Sequence, residues 1–340
     1  MDGFRTRELG RRQFLLHAAA TTAGAVVGLR HGLAAAEPPP ETTRVRLAHA
    51  PFICLAPQYL AEEFLRFEGF TELEYLPVGT RVGLNAVADG RADITMWNAP
   101  ELVFHLDAGK PIVVLAGVHG GCYQVFGHDR VRAIRDLKGK IAAIHYFGGG
   151  DHVLLSTMLA YVGIDPRREV QWITGRDMLN AMELFVDGKA DAFVGFAQEP
   201  AELRAKNVGR MIINTAQDRP WSQYFCCMVV ANRDFAQKNP VATKRVLRAI
   251  LKGADLCAAD PQSAARFLAD KLYEPRYAIG LEVMRNTIYT RWRQTNPEDT
   301  LRFHALRLHE VGMVKTTPHK LVARGTDWRF LNELKRELKG

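Results

Sequence analysis

The segment best suited to chemistry is a glycine-rich loop, Tyr146–His152, which follows the apolar run that starts at Ile141. Glycines let the backbone approach a ligand and point free N–H groups at it, which is how a phosphate, sulfonate or carboxylate is held without a charged side chain. Asp151 brings a carboxylate into this loop, where it could cap the following helix. If it faces a cleft instead, it repels anions and favours an amine, an amidine or a protonated heterocycle.

Aromatic side chains recur where apolar runs of strand length end, which suits a flat or apolar ligand. Asn98 and Glu199 also stand after such runs, in loops where polar contacts to a ligand are common. For Glu199 the alternative is a first-turn charge that complements the helix dipole. The aromatic residues concerned are Phe52, Trp97, Tyr146, Phe147, Phe196, Trp221 and Tyr224.

The chain has five cysteines, an odd number, so at least one is a free thiol or bonded between molecules. We expect them to serve chiefly as small buried apolar residues. The adjacent pair Cys226 and Cys227 is a poor start for a metal site because neighbouring strand residues face opposite ways. His49, Cys54, Cys122 and His152 could add ligands only if all of them face one cleft. We therefore predict no resident metal and no cofactor.

No catalytic motif is present: the sequence has no G-x-S-x-G, H-E-x-x-H, P-loop or G-x-G-x-x-G pattern. The net charge of +8 is spread along the chain, without a basic block interleaved with aromatic residues. This distribution argues against a nucleic-acid partner. We expect a protein that is not an enzyme.

The elements that must position these residues are strands alternating with helices, the pattern of an α/β fold with largely parallel sheets. From about Asn239 onward the pattern is almost entirely helical. Helices are predicted at 84–88, 154–162, 179–186 and 241–259. Strands are predicted at 45–48, 72–76, 94–97, 112–118, 141–145, 170–173, 192–196, 211–214 and 225–231.

One unit occurs twice. A helix, a DG turn, a strand and a second helix run from Leu84 to Glu101, through Asp89–Asp93, and again from Leu179 to Pro200, through Asp187–Asp191. Gly90 and Gly188 fit the left-handed position that follows a helix end. In such sheets ligands bind at the carboxyl ends of the strands, so two similar lobes would present both loops to one cleft.

The first 36 residues are typical of an export signal. Arg11 and Arg12 precede an uncharged run, 13–29, and then the small residues Ala34–Ala36. The arginine pair resembles a twin-arginine signal, and a chance pair in an ordinary secretion signal is the alternative. We expect cleavage near Ala36 and a periplasmic protein, without a lipid on an N-terminal cysteine.

The chain resembles the periplasmic substrate-binding proteins of ABC importers for nitrate, taurine, aliphatic sulfonates and thiamine-pyrimidine precursors. The resemblance rests on the order and spacing of the segments 47–51, 83–93, 136–140 and 232–235, with Asn239–Pro240. It implies a type II periplasmic binding fold, in which two α/β lobes joined by two hinge strands close on a ligand, followed by a helical C-terminal region. It also places Tyr224–Met228 where the related eukaryotic pyrimidine synthase carries a cysteine-rich motif linked to iron.

From this resemblance we expect lobe 1 at residues 37–124 and 223–340 and lobe 2 at 125–222, with hinges near 121–127 and 221–227. The expected partners are a small molecule and an inner-membrane ABC permease, and we expect a monomer. A synthase-like or metal-dependent enzyme and a periplasmic ligand sensor are the alternatives. The predicted ligand-binding residues are His49, Pro51, Phe52, Gln58, Trp97, Asn98, Gly121, Gly148, Gly149, Gly150, Asp151, His152, Phe196, Glu199, Tyr224 and Cys226.

Overall fold

A computed structural model describes residues 37–50, 52–78, 83–175, 178–196 and 198–338. The predicted export signal, 1–36, and the predicted site residue Pro51 lie outside these ranges. Residues 40–340 form one compact unit, and all contacts reported below lie within it. None of its described helices combines the length and apolar character needed to cross a membrane.

The fold is built on two five-stranded sheets, which confirms the predicted α/β class. The first sheet has the order β2-β1-β3-β10-β4 and the second has the order β7-β6-β8-β5-β9. The strands are β1 (Arg44–His49), β2 (Glu72–Pro77), β3 (Ile94–Asn98), β4 (Ile112–Gly120), β5 (Tyr123–Gly127), β6 (Ile141–Ile144), β7 (Gln171–Thr174), β8 (Ala192–Phe196), β9 (Arg210–Asn214) and β10 (Phe225–Asn232).

Both sheets follow one plan. Counted across each sheet in the order given above, the first three strands are parallel to one another. The fourth strand is antiparallel to the third, and the fifth is antiparallel to the fourth. The fourth strands, β10 and β5, each enter directly from the other sheet, so the chain crosses between the sheets at β4–β5 and again at β9–β10. The sheets are therefore mixed rather than largely parallel.

Strand β5 is the one strand that the sequence pattern did not indicate, because its five residues were assigned to the first crossing. Only Gly121 and Cys122 separate β4 from β5. The φ angle of Gly121 is +59°, a left-handed backbone that glycine adopts without strain. The predicted hinge region 121–127 thus consists of a two-residue crossing followed by a strand.

The helices cover the sheet faces and form nearly all of the chain after β10, as predicted. They are α1 (Ala56–Leu60), α2 (Glu62–Phe67), α3 (Gly83–Ala88), α4 (Ala99–Asp107), α5 (Gly150–Tyr161), α6 (Met178–Val186), α7 (Glu199–Lys206), α8 (Arg233–Lys238), α9 (Pro240–Ala259), α10 (Pro261–Asp270), α11 (Tyr277–Asn286), α12 (Pro297–Glu310), α13 (Pro318–Gly325) and α14 (Arg329–Glu337). Short 3₁₀ turns lie at Ile53–Leu55, Ile134–Leu137, Trp221–Gln223 and Tyr289–Arg293.

The repeated sequence unit is also a repeated structure. Gly90 and Gly188 have φ angles of +70° and +72°, so both adopt the predicted left-handed conformation. Asp93 accepts the backbone N–H of Arg46 at 2.8 Å. At the matching place in the second sheet, Asp191 accepts the backbone N–H of Ile141 at 2.9 Å. Each aspartate thus ties the strand of its own unit to a neighbouring parallel strand.

We predict that Gly83→Ala destabilises the first sheet by about 1–3 kcal/mol, because a Cβ at position 83 would overlap the indole ring of Trp97. Gly280→Ala is the matched control: its Cβ would lie 3.8 Å from that of Ala265, and alanine favours a helix interior. Urea denaturation of both variants measures the difference. Equal stability of the two variants would contradict this packing.

Candidate functional site

A cleft lies between the two sheets, at the ends of β3, β6 and β8, and its space between atoms, open solvent included, is about 480 Å³. We call this space the cavity. This is the edge at which ligands settle in α/β proteins. Both sheets and their following helices contribute to its wall. The lining residues are Phe52, Cys54, Leu55, Trp97, Asn98, Glu101, Cys122, Tyr123, His145, Tyr146, Gly150, Asp151, Phe196 and Cys227.

Glu101 is the carboxylate that the first sheet presents to the cavity. Strand β3 ends at Asn98, whose side chain caps α4 by accepting the backbone N–H of Glu101 at 3.0 Å. The Asn98 amide also donates to Oε2 of Glu101 at 3.0 Å, and the Tyr146 hydroxyl donates to it at 3.2 Å. Burial raises the pKa of Glu101 to about 7, although nearby hydrogen-bond donors oppose the shift.

The second sheet presents a buried charge cluster of His145, Asp151 and Glu199. The His145 ring nitrogens lie 2.8 Å from Oδ2 of Asp151 and 2.8 Å from Oε1 of Glu199. All three side chains are buried. Burial alone would lower the pKa of His145, but the two carboxylates outweigh it and raise the value to about 10. At neutral pH the imidazolium therefore donates to both carboxylates.

Aromatic rings form much of the cavity wall. The Phe52 ring centroid lies 5.0 Å from that of Phe196 and 5.9 Å from that of Trp97, in edge-to-face arrangements. The Tyr123 and Phe196 rings are 5.4 Å apart. Edge-to-face packing leaves ring faces available to a flat ligand.

The two sheets meet across this cavity. Phe52 comes from the first sheet and Phe196 from the second, and the hydrogen bond between Tyr146 and Glu101 crosses in the same way. Gly150 begins α5 so close to Asn98 and Tyr123 that any Cβ there would overlap them. A side chain at position 150 would therefore force the walls apart.

Cysteines form part of the cavity wall, since Cys54, Cys122 and Cys227 line it. Cys122 and Cys226 form a disulfide between the two crossing segments, so our interpretation of every cysteine as a small buried apolar residue is wrong for this pair. Cys54, Cys227 and Cys257 are free and buried. The nearby Cys54 thiol, together with burial, raises the pKa of Cys227, which keeps that thiol protonated.

A metal ion does not fit this cluster while the disulfide is intact. One ligand atom from each of His119, Cys122, Cys226 and Cys227 lies within 4.8 Å of the others. The disulfide uses two of the three sulfurs, and metal binding requires thiolates rather than a disulfide or a protonated thiol. The oxidised cluster therefore lacks the three or four donors that a transition metal needs.

The structure brings only part of the predicted site to the cavity. Phe52, Trp97, Asn98, Gly150, Asp151 and Phe196 line it. Glu199 lies behind His145, and the backbone N–H of Gly148 donates to His152 at the start of α5, beside Gly149. A separate, smaller pocket includes Gly121, Tyr224 and Cys226.

Two predicted residues lie away from the cavity, Gln58 on α1 and His49 at the end of β1. Gln58 is fully buried, where it donates to the carbonyl of Ala48 and accepts the backbone N–H of Met96. His49 packs against the rings of Tyr59 and Tyr273, at centroid distances of 5.2 and 5.1 Å. Their assignment as ligand contacts stays a prediction, and neither lines the cavity.

Four further residues line the cavity but were not among the predicted ligand-binding residues: Glu101, Tyr123, His145 and Tyr146. Of these, Tyr146 had been noted as an aromatic residue of the glycine-rich loop. The internal repeat carried a signal for Glu101, because it follows its strand as Glu199 follows the equivalent strand. His145 lies directly beyond strand β6, next to the glycine-rich loop. Tyr123 opens the strand that the pattern missed, so no local signal indicated it.

Comparison with known proteins decides the family. The family model described as "NMT1/THI5 like" matches residues 71–264, more than half of the chain. The chain belongs to the NMT1/THI5-like family. A search of curated proteins found no match.

Solved structures share the fold of this NMT1/THI5-like chain over most of its length, with low sequence identity. The periplasmic nitrate-binding protein of Synechocystis PCC 6803 superposes with a TM-score of 0.72 and 16% identity, covering 89% of this chain and 90% of its own. The alkanesulfonate-binding protein of Xanthomonas axonopodis pv. citri, bound to MOPS, gives 0.66 and 19%, covering 86% and 100%. The aliphatic sulphonate-binding protein of Escherichia coli gives 0.67 and 16%, covering 85% and 93%. The chain therefore has the periplasmic binding protein fold that its sequence predicted.

We predict that His145→Gln lowers the free energy of unfolding by about 3–5 kcal/mol near pH 6, because it leaves two buried carboxylates without their cation. The folded pKa of about 10 lies above the ordinary value of 6.5, so the stabilisation is complete below about pH 6.5 and is lost as the pH rises through 10. The difference between wild type and variant should shrink over that window. Urea denaturation at pH 6, 8 and 10 measures it.

His319→Gln provides the control, since His319 is exposed on α13 and should matter little at any of these pH values. A constant difference between wild type and His145→Gln from pH 6 to 10 would show that the imidazole acts by packing rather than by charge.

Proposed function

We propose that this protein is a periplasmic solute-binding protein that captures a small organic molecule between its two sheets and delivers it to the permease of an ABC importer. The observation that carries the proposal is the cavity itself. Side chains from both sheets line it, and it lies where the chain crosses between the sheets twice.

The comparisons support this proposal. The solved proteins with the same fold include a periplasmic nitrate-binding protein and binding proteins for alkanesulfonates. They match this chain along nearly their whole length, so the likeness in fold extends over both sheets. The predicted export signal at 1–36 agrees with a periplasmic place of action.

Capture would operate by closure. A ligand that touches Trp97 and Asn98 from the first sheet and Tyr146 from the second binds more tightly when the sheets are close together. Such differential affinity shifts an open-to-closed equilibrium toward the closed form. The two crossings act as hinges in this scheme, and the disulfide between Cys122 and Cys226 ties them together. The predicted lobe boundaries, the monomeric state and the permease partner belong to the same proposal.

We predict that Gly150→Ala weakens ligand binding at least tenfold, because its methyl group would hold Asn98 and Tyr123 apart and prevent closure. The test is a thermal-shift screen of the purified full-length chain with nitrate, alkanesulfonates, aromatic acids, amines, amidines and pyrimidines. A ligand stabilises the native state by about 2.7 kcal/mol at 100 times its Kd. At least one class should raise the melting temperature of the wild type and lose most of that effect in Gly150→Ala.

Gly280→Ala should keep the full ligand-dependent shift, because Gly280 lies on α11, away from the cavity lining. The proposal is wrong if no compound class shifts the wild type, or if Gly150→Ala and Gly280→Ala respond equally to the same compound.

A further inference from the structure

The side chains that line the cavity do not provide the positive charge that would bind an anion. Among the described residues that line it, none is Lys or Arg. Glu101, Asp151 and the adjoining Glu199 supply three carboxyl groups, and His145 supplies one imidazolium. With that imidazolium counted, the acidic groups still outnumber the basic one. Burial raises the pKa of Glu101 to about 7 and also raises that of Glu199, so the site has no net positive charge to attract nitrate, sulfonate or carboxylate groups, and it becomes more negative as the pH rises.

The N-terminus of α5, which would suit an anionic ligand, already holds the carboxylate of Asp151. Helix α5 starts at Gly150 beside the cavity, where free backbone N–H groups and the helix dipole favour negative charge. The carboxylate of Asp151 occupies that position itself, and it also accepts the backbone N–H of His145 at 2.7 Å. A ligand anion would have to displace or approach this fixed carboxylate.

Within the described part of the chain, Glu101 has no such counter-ion. Its hydrogen-bond donors, Asn98 and Tyr146, are both uncharged. The nearest ring nitrogen of His105 is 3.8 Å away, and burial lowers the pKa of that histidine to about 4, so it is neutral at pH 7. Asp151 also acts on Glu101, because the negative charge of Asp151 adds to the rise in its pKa. A cation that enters the cavity would relieve both effects.

The aromatic wall favours the same kind of ligand. Phe52, Trp97, Tyr123, Tyr146 and Phe196 surround the space next to Glu101. Ring faces attract cations through their quadrupoles, most strongly where water is excluded, and aromatic cages recognise organic ammonium groups in this way. The same rings accommodate a flat or apolar body.

We propose that the ligand of this site is a small organic cation, with an amine, amidine, guanidine or protonated ring nitrogen that donates to Glu101 and an apolar or aromatic body held among the rings. This inference rests on the proposed solute-binding function and names its ligand class. Glu101 is the residue that determines specificity, because Asp151 and Glu199 are already paired with His145.

An isosteric ligand series tests the charge directly. Benzamidinium, benzamide and benzoate have nearly the same shape and carry a positive, a neutral and a negative group. Calorimetric titration of the full-length wild type should give the tightest binding for benzamidinium, weaker binding for benzamide and the weakest for benzoate. Tighter binding of benzoate than of benzamidinium would overturn the proposal, as would the absence of benzamidinium binding at millimolar concentration.

The variant Glu101→Gln keeps the shape of the side chain and removes its charge. It should weaken benzamidinium binding about 10–100-fold and strengthen benzoate binding, because the repulsion of the carboxylate is gone. Glu183→Gln, an exposed change on α6, is the control and should leave all three affinities unchanged. An equal loss for all three ligands in Glu101→Gln would mean that Glu101 has only a structural role, and would overturn the proposal.

The outcomes separate this inference from the function on which it depends. If an anion from the thermal-shift screen binds the wild type and loses affinity in Gly150→Ala, solute binding stands and the cationic ligand class is wrong. If Glu101→Gln does not fold, the order of the three ligands on the wild type still decides the question.

Discussion

The arrangement around the cavity depends on the buried ion cluster of His145, Asp151 and Glu199. Its imidazolium joins the end of β6 and the nearby first turn of α5 to the first turn of α7, where Glu199 lies 54 residues further along the chain. Removing three charged groups from water is costly, and the cluster is stable only because each ring nitrogen meets a carboxylate and the carboxylates also accept backbone N–H groups. That requirement sets the positions at which the second sheet meets the cavity.

Opposite this cluster, the first sheet places one carboxylate, that of Glu101, at the cavity. The two walls of the cavity therefore differ in charge. Glu101 and Glu199 lie in the first turns of matching helices in the internal repeat, yet among the described residues only Glu199 has a cationic partner. The repeat therefore produces two similar strand ends that differ in charge balance. In our proposal a cationic ligand supplies the missing partner of Glu101.

The disulfide between Cys122 and Cys226 constrains the same region from behind. It links two crossing segments that are 104 residues apart. A link of this kind restricts the unfolded chain. In the proposed closure it would also couple the two crossings that act as hinges. Cys54 and Cys227 do not take part in this disulfide; they are buried free thiols that line the cavity.

Local sequence patterns determined the elements. Nine of the ten strands in the described part of the chain, and the helices α3, α5, α6 and α9, follow from apolar periodicity, turn glycines and caps, all of which act within a few neighbouring residues. The helices after β10 were predicted as a class, and α9 alone among them had predicted bounds. The repeat also indicated where the two carboxyl ends of strands would face a common cleft. The residues of β5 were missed because a short strand that directly follows a crossing has no turn signal of its own.

Tertiary structure decided which side chains meet. Whether His145 contacts a carboxylate, whether Glu101 has a counter-ion, and which cysteines pair depend on strand order and register, which join residues tens to hundreds of positions apart. Gln58 was predicted as a ligand contact, but its side chain hydrogen-bonds buried backbone groups of β1 and β3. Its partners, too, were decided by the tertiary structure. The sequence by itself determined the α/β fold and indicated the strand ends where we propose that a ligand binds. Only the tertiary structure decided which charges meet there, because it brings together side chains that are distant in the chain, and the proposed ligand class depends on that arrangement.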